Sequence, residues 1–118
     1  MKYDITKTNV SEVSLEERPE SDANRISLSS CFFYDEKDKT NVKATMETTL
    51  SIAHQVEIKF KYNFFFKFEE EVIDEKLENF MDEINFHSMA YPYVRTYAIN
   101  LLNMSGYYIT NPPIIPEF

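Results

Sequence analysis

The strongest constraint in this chain is a run of period two. From Val42 to Ile52 the even positions are Val42, Ala44, Met46, Thr48, Leu50 and Ile52, and the odd ones are Lys43, Thr45, Glu47, Thr49 and Ser51. Successive side chains of a strand point to opposite faces, so this segment reads as a strand with one buried face. The next segment repeats the pattern more strongly. Val56, Ile58, Phe60, Tyr62, Phe64, Phe66 and Phe68 face one way, and Glu57, Lys59, Lys61, Asn63, Lys67 and Glu69 the other, with Phe65 the exception on the polar side. Ile26, Leu28, Phe32 and Tyr34 form a third alternating set. The polar stretch Asp35-Glu36-Lys37-Asp38-Lys39 is a solvated hairpin loop between the second and third strands, and a tight turn without glycine falls near His54-Gln55.

The first segment is less regular. Tyr3 and Ile5 alternate, as do Val13 and Leu15, and a change of phase between Ile5 and Val10 predicts a bulge or bend. Pro19 ends this strand in the loop that runs through residues 16–22. After Glu71 the period becomes helical. Asp74 is placed to cap a helix whose Leu77, Phe80, Met81 and Ile84 lie at i, i+3, i+4 and i+7. Pro92 is read at or near the first turn of a second helix, with Val94, Ala98, Leu101 and Leu102 on one face and Gly106 at its end. The tail, residues 111–118, carries three prolines and reads as an extended apolar strap. Strands first and helices after them give an α+β fold: a four-stranded antiparallel sheet, read as a meander, followed by two helices packed on one face, in a single domain over residues 1–118.

Catalytic chemistry finds little support. One cysteine, Cys31, excludes an internal disulfide and a Cys-based zinc site. One glycine, Gly106, excludes the glycine-rich phosphate loops. The two histidines, His54 and His87, have no nucleophile placed beside them, and His87 reads as a surface or hydrogen-bonded residue between two helical stretches. The acidic runs at 69–71 and 82–83 lack calcium-loop spacing and read as solvated faces. No cofactor or metal is called for, and the protein is read as a non-enzyme. Twenty acids against twelve bases, a net charge of −8, argue against nucleic acid as a partner. No apolar run approaches the roughly 20 residues of a membrane span, and no secretion signal is visible, so the reading places the protein in the cytoplasm.

What does stand out is the aromatic supply, 10 Phe and 8 Tyr. Phe32, Phe33, Tyr34, the rings between Phe60 and Phe68, Phe86, Tyr91, Tyr93, Tyr97, Tyr107 and Tyr108 are more than one core of this size obviously needs. The surplus reads either as core plus an oligomer interface or as a groove for apolar peptide segments, because aromatic rings give large contact area at small entropic cost. Phe65, on the polar side of its strand, marks that face as a second candidate for association.

Tyr91-Pro92-Tyr93-Val94-Arg95 resembles the aromatic-Pro-Tyr-Ala-Arg junction that opens the last helix of the protein-export chaperone SecB. The following helix, Ser105-Gly106-Tyr107 and the tail through Pro112, Pro113, Ile114, Ile115, Pro116, Glu117 and Phe118 are similar to the end of that family. Tyr3-Asp4-Ile5 and the stretch from Val10 to Glu16 are similar to its first strand. The resemblance covers essentially the whole chain. It implies a SecB-like, ATP-independent holdase that assembles as a homo-oligomer, a dimer or tetramer, and holds unfolded or partly folded polypeptides along apolar grooves.

Carried over by position, Tyr91 and Tyr93 match the aromatic positions of the junction beside the client groove, which is expected to contain Phe64 and Phe66 of the last strand, Phe86 and Ile114 as well. Glu12 and Glu16 match the acidic positions that meet the SecA motor, and Arg95 matches a structural arginine of the junction. The chain departs from the family in its shorter loop before the second strand, in Phe64-Phe65-Phe66 where the family has small residues, and in stopping at Phe118 without the extension that also contacts SecA. The resemblance thus carries the fold further than it carries the motor hand-off. A second reading stays open, a dedicated interaction module of this fold with one partner, such as an antitoxin or a phage or host factor. A third, a small enzyme or ligand-binding domain, lacks a polar pocket with a nucleophile or metal cluster.

Overall fold

The computed structural model describes residues 2–72 and 75–107. Four strands come first, β1 (Tyr3–Glu17), β2 (Arg25–Tyr34), β3 (Asn41–Ile52) and β4 (Val56–Phe68), and two helices follow, α1 (Glu75–Glu83) and α2 (Phe86–Met104). All strand pairings are antiparallel. The capping role read for Asp74, the strap at 111–118 and the groove position Ile114 lie outside the described residues.

The sheet departs from the expected meander at one strand. Its order is β1-β4-β3-β2, so β2, β3 and β4 follow one another as a meander while β1 lies beside β4, three strand positions from β2. Three strand spacings are about 14 Å, within reach of the connecting residues 18–24. That connection crosses the end of the β3–β4 hairpin and is tied to it. Arg18 N donates to Gln55 O at 2.9 Å, His54 N to Ser21 O at 2.6 Å and Ala53 N to the Asn24 side-chain oxygen at 2.7 Å. The segment does contain a turn, Ser21 N donating to Arg18 O at 3.1 Å with Pro19 at the second position, but its bonds to the β3–β4 turn carry the chain across the sheet end instead of closing a β1–β2 hairpin. The hairpin turn itself holds His54 at φ 62, a left-handed conformation reached without glycine.

The bulge expected early in β1 falls between Ile5 and Lys7. A second lies between Ser11 and Ser14, where Glu12 takes φ 52. The two together let a 15-residue edge strand follow the twist of β4.

The alternation read from the sequence maps onto two faces. Val42, Ala44, Met46, Leu50, Ile52, Val56, Ile58, Phe60, Phe64, Phe66 and Phe68 are all buried beneath the helices. Helix α1 contributes Leu77, Phe80 and Met81, and α2 contributes Phe86, Ala90, Tyr91, Val94, Ala98 and Leu102. Ala44, Ala90 and Ala98 are fully buried, small side chains that let α2 lie close on β3. Thr48 is buried on this apolar face between its register partners Leu28 and Phe60, and its hydroxyl has no hydrogen-bond partner among the described residues. We expect Thr48→Val to stabilise the fold by about 1 kcal/mol, roughly a 4 °C rise in Tm. An unchanged or lower melting temperature would show that the hydroxyl is satisfied.

Helix α2 begins at Phe86, six residues before the start read from Pro92, so the proline lies inside the helix. An interior proline lacks the N–H that would bond the carbonyl four residues back, at a cost of roughly 3 kcal/mol. Burial of Phe86, Ala90 and Tyr91 by the preceding turns offsets it. The reversal from α1 is made by Asn85 at φ 51, a residue type that tolerates this region. His87 is therefore a residue of α2 rather than of a linker, and its Nε2 lies 3.1 Å from Ser30 Oγ of β2. Gly106 ends α2 as expected. At φ 91 it donates to Asn103 O at 3.1 Å while Tyr107 N donates to Leu102 O at 2.8 Å, a Schellman pair.

The loop between β2 and β3 is organised by Asp38. Its carboxylate accepts from Thr40 N at 3.1 Å, from the Thr40 hydroxyl and from Lys67 Nζ at 2.9 Å. These bonds, the Thr40 hydroxyl foremost, hold its pKa down at about 2. A carboxylate whose folded pKa is depressed adds stability that is complete above its unfolded value of about 3.9 and is lost as pH falls through the folded value. Asp38→Asn should therefore flatten the fall of urea midpoint between about pH 4 and pH 2 relative to the parent protein. Parallel curves for the two proteins would refute this.

Candidate functional site

Among the aromatic residues, three tyrosines line an open space between the sheet and the second helix. Between β4 and α2 lies an open cleft of about 400 Å³, lined by Tyr62, Pro92, Tyr93, Thr96, Tyr97 and Asn100. Four of these, Tyr93, Thr96, Tyr97 and Asn100, stand at i, i+3, i+4 and i+7, a single stripe of α2 beside the apolar one that faces the core. Tyr62 supplies the sheet side, and Val10 of β1, its register partner, is half-buried next to it. Further along β1 on the same face, Ile5 is 40% exposed. The wall contains no Asp, Glu, Lys or Arg, so the cleft offers tyrosine rings, amide and hydroxyl groups rather than charge.

The rings are held by packing on one another. Tyr93 stands edge-on to Phe64 at 5.4 Å between centroids and tilted against Tyr62 at 6.0 Å. Tyr97 meets Phe60 at 4.8 Å and Tyr62 at 6.2 Å. Phe64 in turn meets Phe86 edge-on at 5.6 Å. Edge-to-face contacts in this range add to simple area burial, so the orientation of the exposed rings is set by the buried ones.

This arrangement sorts the residues expected in a client groove. Tyr93 is 47% exposed and belongs to the cleft. Phe64, Phe66 and Phe86 are at most 2% exposed. They form the floor that carries Tyr93: the alternation of β4 puts Phe64 and Phe66 on the apolar face under the helices, and Phe86 packs onto them from the first turn of α2. Tyr91 is 9% exposed and faces the core from the preceding turn. Tyr62, Thr96, Tyr97 and Asn100 were not singled out for the groove from the sequence. The signal was present in the 93, 96, 97, 100 spacing, but it becomes legible only once the helix is known to run through Pro92.

Glu12 and Glu16 lie away from the cleft, on the side of the sheet that the helices leave open. Glu12, at the second bulge, pairs with Lys61 at 2.6 Å, and Lys61 also reaches Glu47 at 3.3 Å. The hydrogen bond from Lys61 holds the Glu12 carboxyl below its usual range, and the two carboxylates raise the Lys61 pKa, Glu12 foremost. Glu16 pairs with Arg18 at 2.6 Å, and Arg18 is shared with Glu20 at 3.6 Å and Glu57 at 3.8 Å. One guanidinium among three carboxylates leaves this end acidic. Asn63 and Thr45 form a buried polar link on the same face. The Thr45 hydroxyl donates to Asn63 Oδ1 at 2.8 Å, and Asn63 Nδ2 donates to Asn9 at 2.9 Å and to Ser11 at 3.0 Å. Arg95 is half-buried on α2 and forms no ion pair among the described residues. No group of three or more His, Cys, Asp or Glu side chains that could hold a metal ion occurs among the described residues, and no helix there is long and apolar enough to cross a membrane.

Four antiparallel strands in the order β1-β4-β3-β2, with two helices on one face and an uncharged aromatic cleft between sheet and helix, define a SecB-like α+β fold. The SecB-like chaperone Rv1957 of Mycobacterium tuberculosis, solved in complex with a ChAD peptide from the Rv1956 HigA1 antitoxin, superposes with a TM-score of 0.71. The superposition covers 98% of this chain and 90% of that one, at 14% sequence identity. At that identity the likeness is one of fold. No family model matches the sequence, and no curated protein matches it either.

Proposed function

We propose that this protein is a non-enzymatic holdase of SecB-like fold that binds unfolded or partly folded polypeptides in the tyrosine cleft between β4 and α2. The observation that carries the reading is the cleft itself: exposed Tyr93 and half-buried Tyr62 and Tyr97 around an uncharged floor, held open by a packed phenylalanine layer. Such a surface binds apolar side chains without demanding a sequence, and a folded client hides those side chains. The net charge of −8 keeps a loaded complex soluble. β1 and β2, the two edge strands, offer backbone edges for pairing with a second copy, and a dimer or tetramer would present several clefts to one chain.

The Mycobacterium tuberculosis neighbour, bound to an antitoxin peptide, supports a second reading in which the same cleft serves one dedicated partner. Glu12 and Glu16, on the open face, are proposed as the contact for a SecA-type motor if the setting is protein export in the cytoplasm. Breadth of binding separates the two readings. A chemically denatured test protein is diluted into buffer with and without this chain, and light scattering is followed. Suppression at near-stoichiometric amounts, with no complex formed by the folded test protein, is the expected result. A well-folded protein that suppresses nothing would sink the general holdase in favour of the dedicated partner.

A further inference from the structure

The open face of the sheet has two electrically different ends. Toward the β3–β4 turn, Lys59, Lys61 and Arg18 are each held by carboxylates at 2.6–3.8 Å. Toward the opposite end the strand register sets four side chains in one row across the whole sheet. Phe33 of β2 is opposite Lys43 of β3, Lys43 is opposite Phe65 of β4, and Phe65 is opposite Lys7 of β1. The row reads aromatic, lysine, aromatic, lysine. With strands about 4.8 Å apart, the two lysines are rooted roughly 10 Å from each other, and so are the two rings.

Lys7 Nζ lies 5.3 Å and Lys43 Nζ 6.0 Å from the centroid of Phe65, so both ammonium groups lean over that ring. Neither lysine forms an ion pair among the described residues. The neighbouring Lys67 does, with Asp38 at 2.9 Å. Phe33, on edge strand β2, is 57% exposed. The row borders a cleft of about 430 Å³ whose wall includes Thr6 and Asp35, and the Asp35 carboxylate accepts the backbone N–H of Lys37 at 2.8 Å.

We propose that this lysine–aromatic row is a docking site for an acidic peptide segment of a partner protein, separate from the tyrosine cleft. Two carboxylates three residues apart in a polyproline-II segment lie on one side of it, about 9 Å from each other, and match the spacing of the two lysines. An apolar side chain carried with them covers Phe33. Charge complementarity selects the occupant: neither ammonium group forms an ion pair among the described residues, Lys43 acts on Glu12 only at longer range, and beside exposed Phe33 the two make a local strip of cation and ring. Single-stranded nucleic acid fits less well. Its bases would stack on Phe65, where the two ammonium groups already lie.

The test uses the full chain and fluorescence anisotropy. The probes are a short labelled peptide of glutamates and leucines around one phenylalanine, the same peptide with glutamine for glutamate, and labelled oligo(dT). The glutamate peptide is expected to bind about tenfold more tightly than the glutamine one, and added salt should narrow the gap. Lys7→Gln with Lys43→Gln should lower its affinity about tenfold, and Phe33→Ser several-fold. These exposed substitutions should leave the melting temperature and aggregation suppression as they were. The proposal is overturned by failure of the glutamate peptide to bind, by equal binding of the glutamine peptide, or by tighter binding of oligo(dT). It is equally overturned if binding survives the lysine pair and is lost on changing Tyr93, which would assign the peptide to the tyrosine cleft.

Discussion

Phe64→Ala is expected to destabilise the protein by about 3–5 kcal/mol and to lower its melting temperature by roughly 10–20 °C. Phe64 is fully buried at the centre of the aromatic layer. Its ring contacts Tyr62 at 5.1 Å, Tyr93 at 5.4 Å and Phe86 at 5.6 Å. Truncation therefore leaves a cavity that neither the sheet nor α2 can easily fill, since each is fixed elsewhere by strand pairing and by the small contacts at Ala44, Ala90 and Ala98. For a domain whose total stability is on the order of 5–15 kcal/mol, this is a large share. Phe64→Leu keeps most of the volume and should cost well under half as much. Thermal and urea unfolding of both variants decide the matter. A loss below about 1 kcal/mol for the alanine would mean that the aromatic layer is not packed as the ring distances imply.

The phenylalanine layer also marks where sequence reading succeeds and where it stops. The apolar face of β3 and β4 was legible residue by residue, because a two-residue period has only two outcomes and burial chooses one. The α+β class and the end of α2 at Gly106 followed from equally local signals. Strand order did not. The place of β1 beside β4 depends on where residues 18–24 travel, and the bonds that hold them there, from Arg18 to Gln55 and from His54 to Ser21, join segments more than 30 positions apart. The start of α2 was hidden for a related reason. Pro92 carries a strong local preference for a first turn, and the burial of Phe86, Ala90 and Tyr91 outweighs it. The cleft was legible only in part. The aromatic surplus included the exposed Tyr93 and the buried Phe64, Phe66 and Phe86 alike, because counting rings does not say which of them the helices cover.

Replacing the exposed rings separates function from stability. Tyr93→Ser with Tyr97→Ser should raise the concentration needed to suppress aggregation at least about tenfold, since a central aromatic anchor in a binding site contributes about 2 kcal/mol or more. The fold should survive, because Tyr93 is 47% exposed and Tyr97 only partly buried, while the Phe60, Phe64 and Phe86 layer beneath them is untouched. Glu12→Gln with Glu16→Gln is the matching control. Those side chains lie on the other side of the sheet, so client holding should persist while any contact with a basic region of a motor weakens. The two pairs of substitutions thus address opposite faces of one sheet. If the tyrosine pair retains full suppression with an unchanged melting temperature, the cleft is not where clients bind. If the glutamate pair loses suppression as well, the acidic face takes part in holding, and the division of labour between the two faces has to be abandoned.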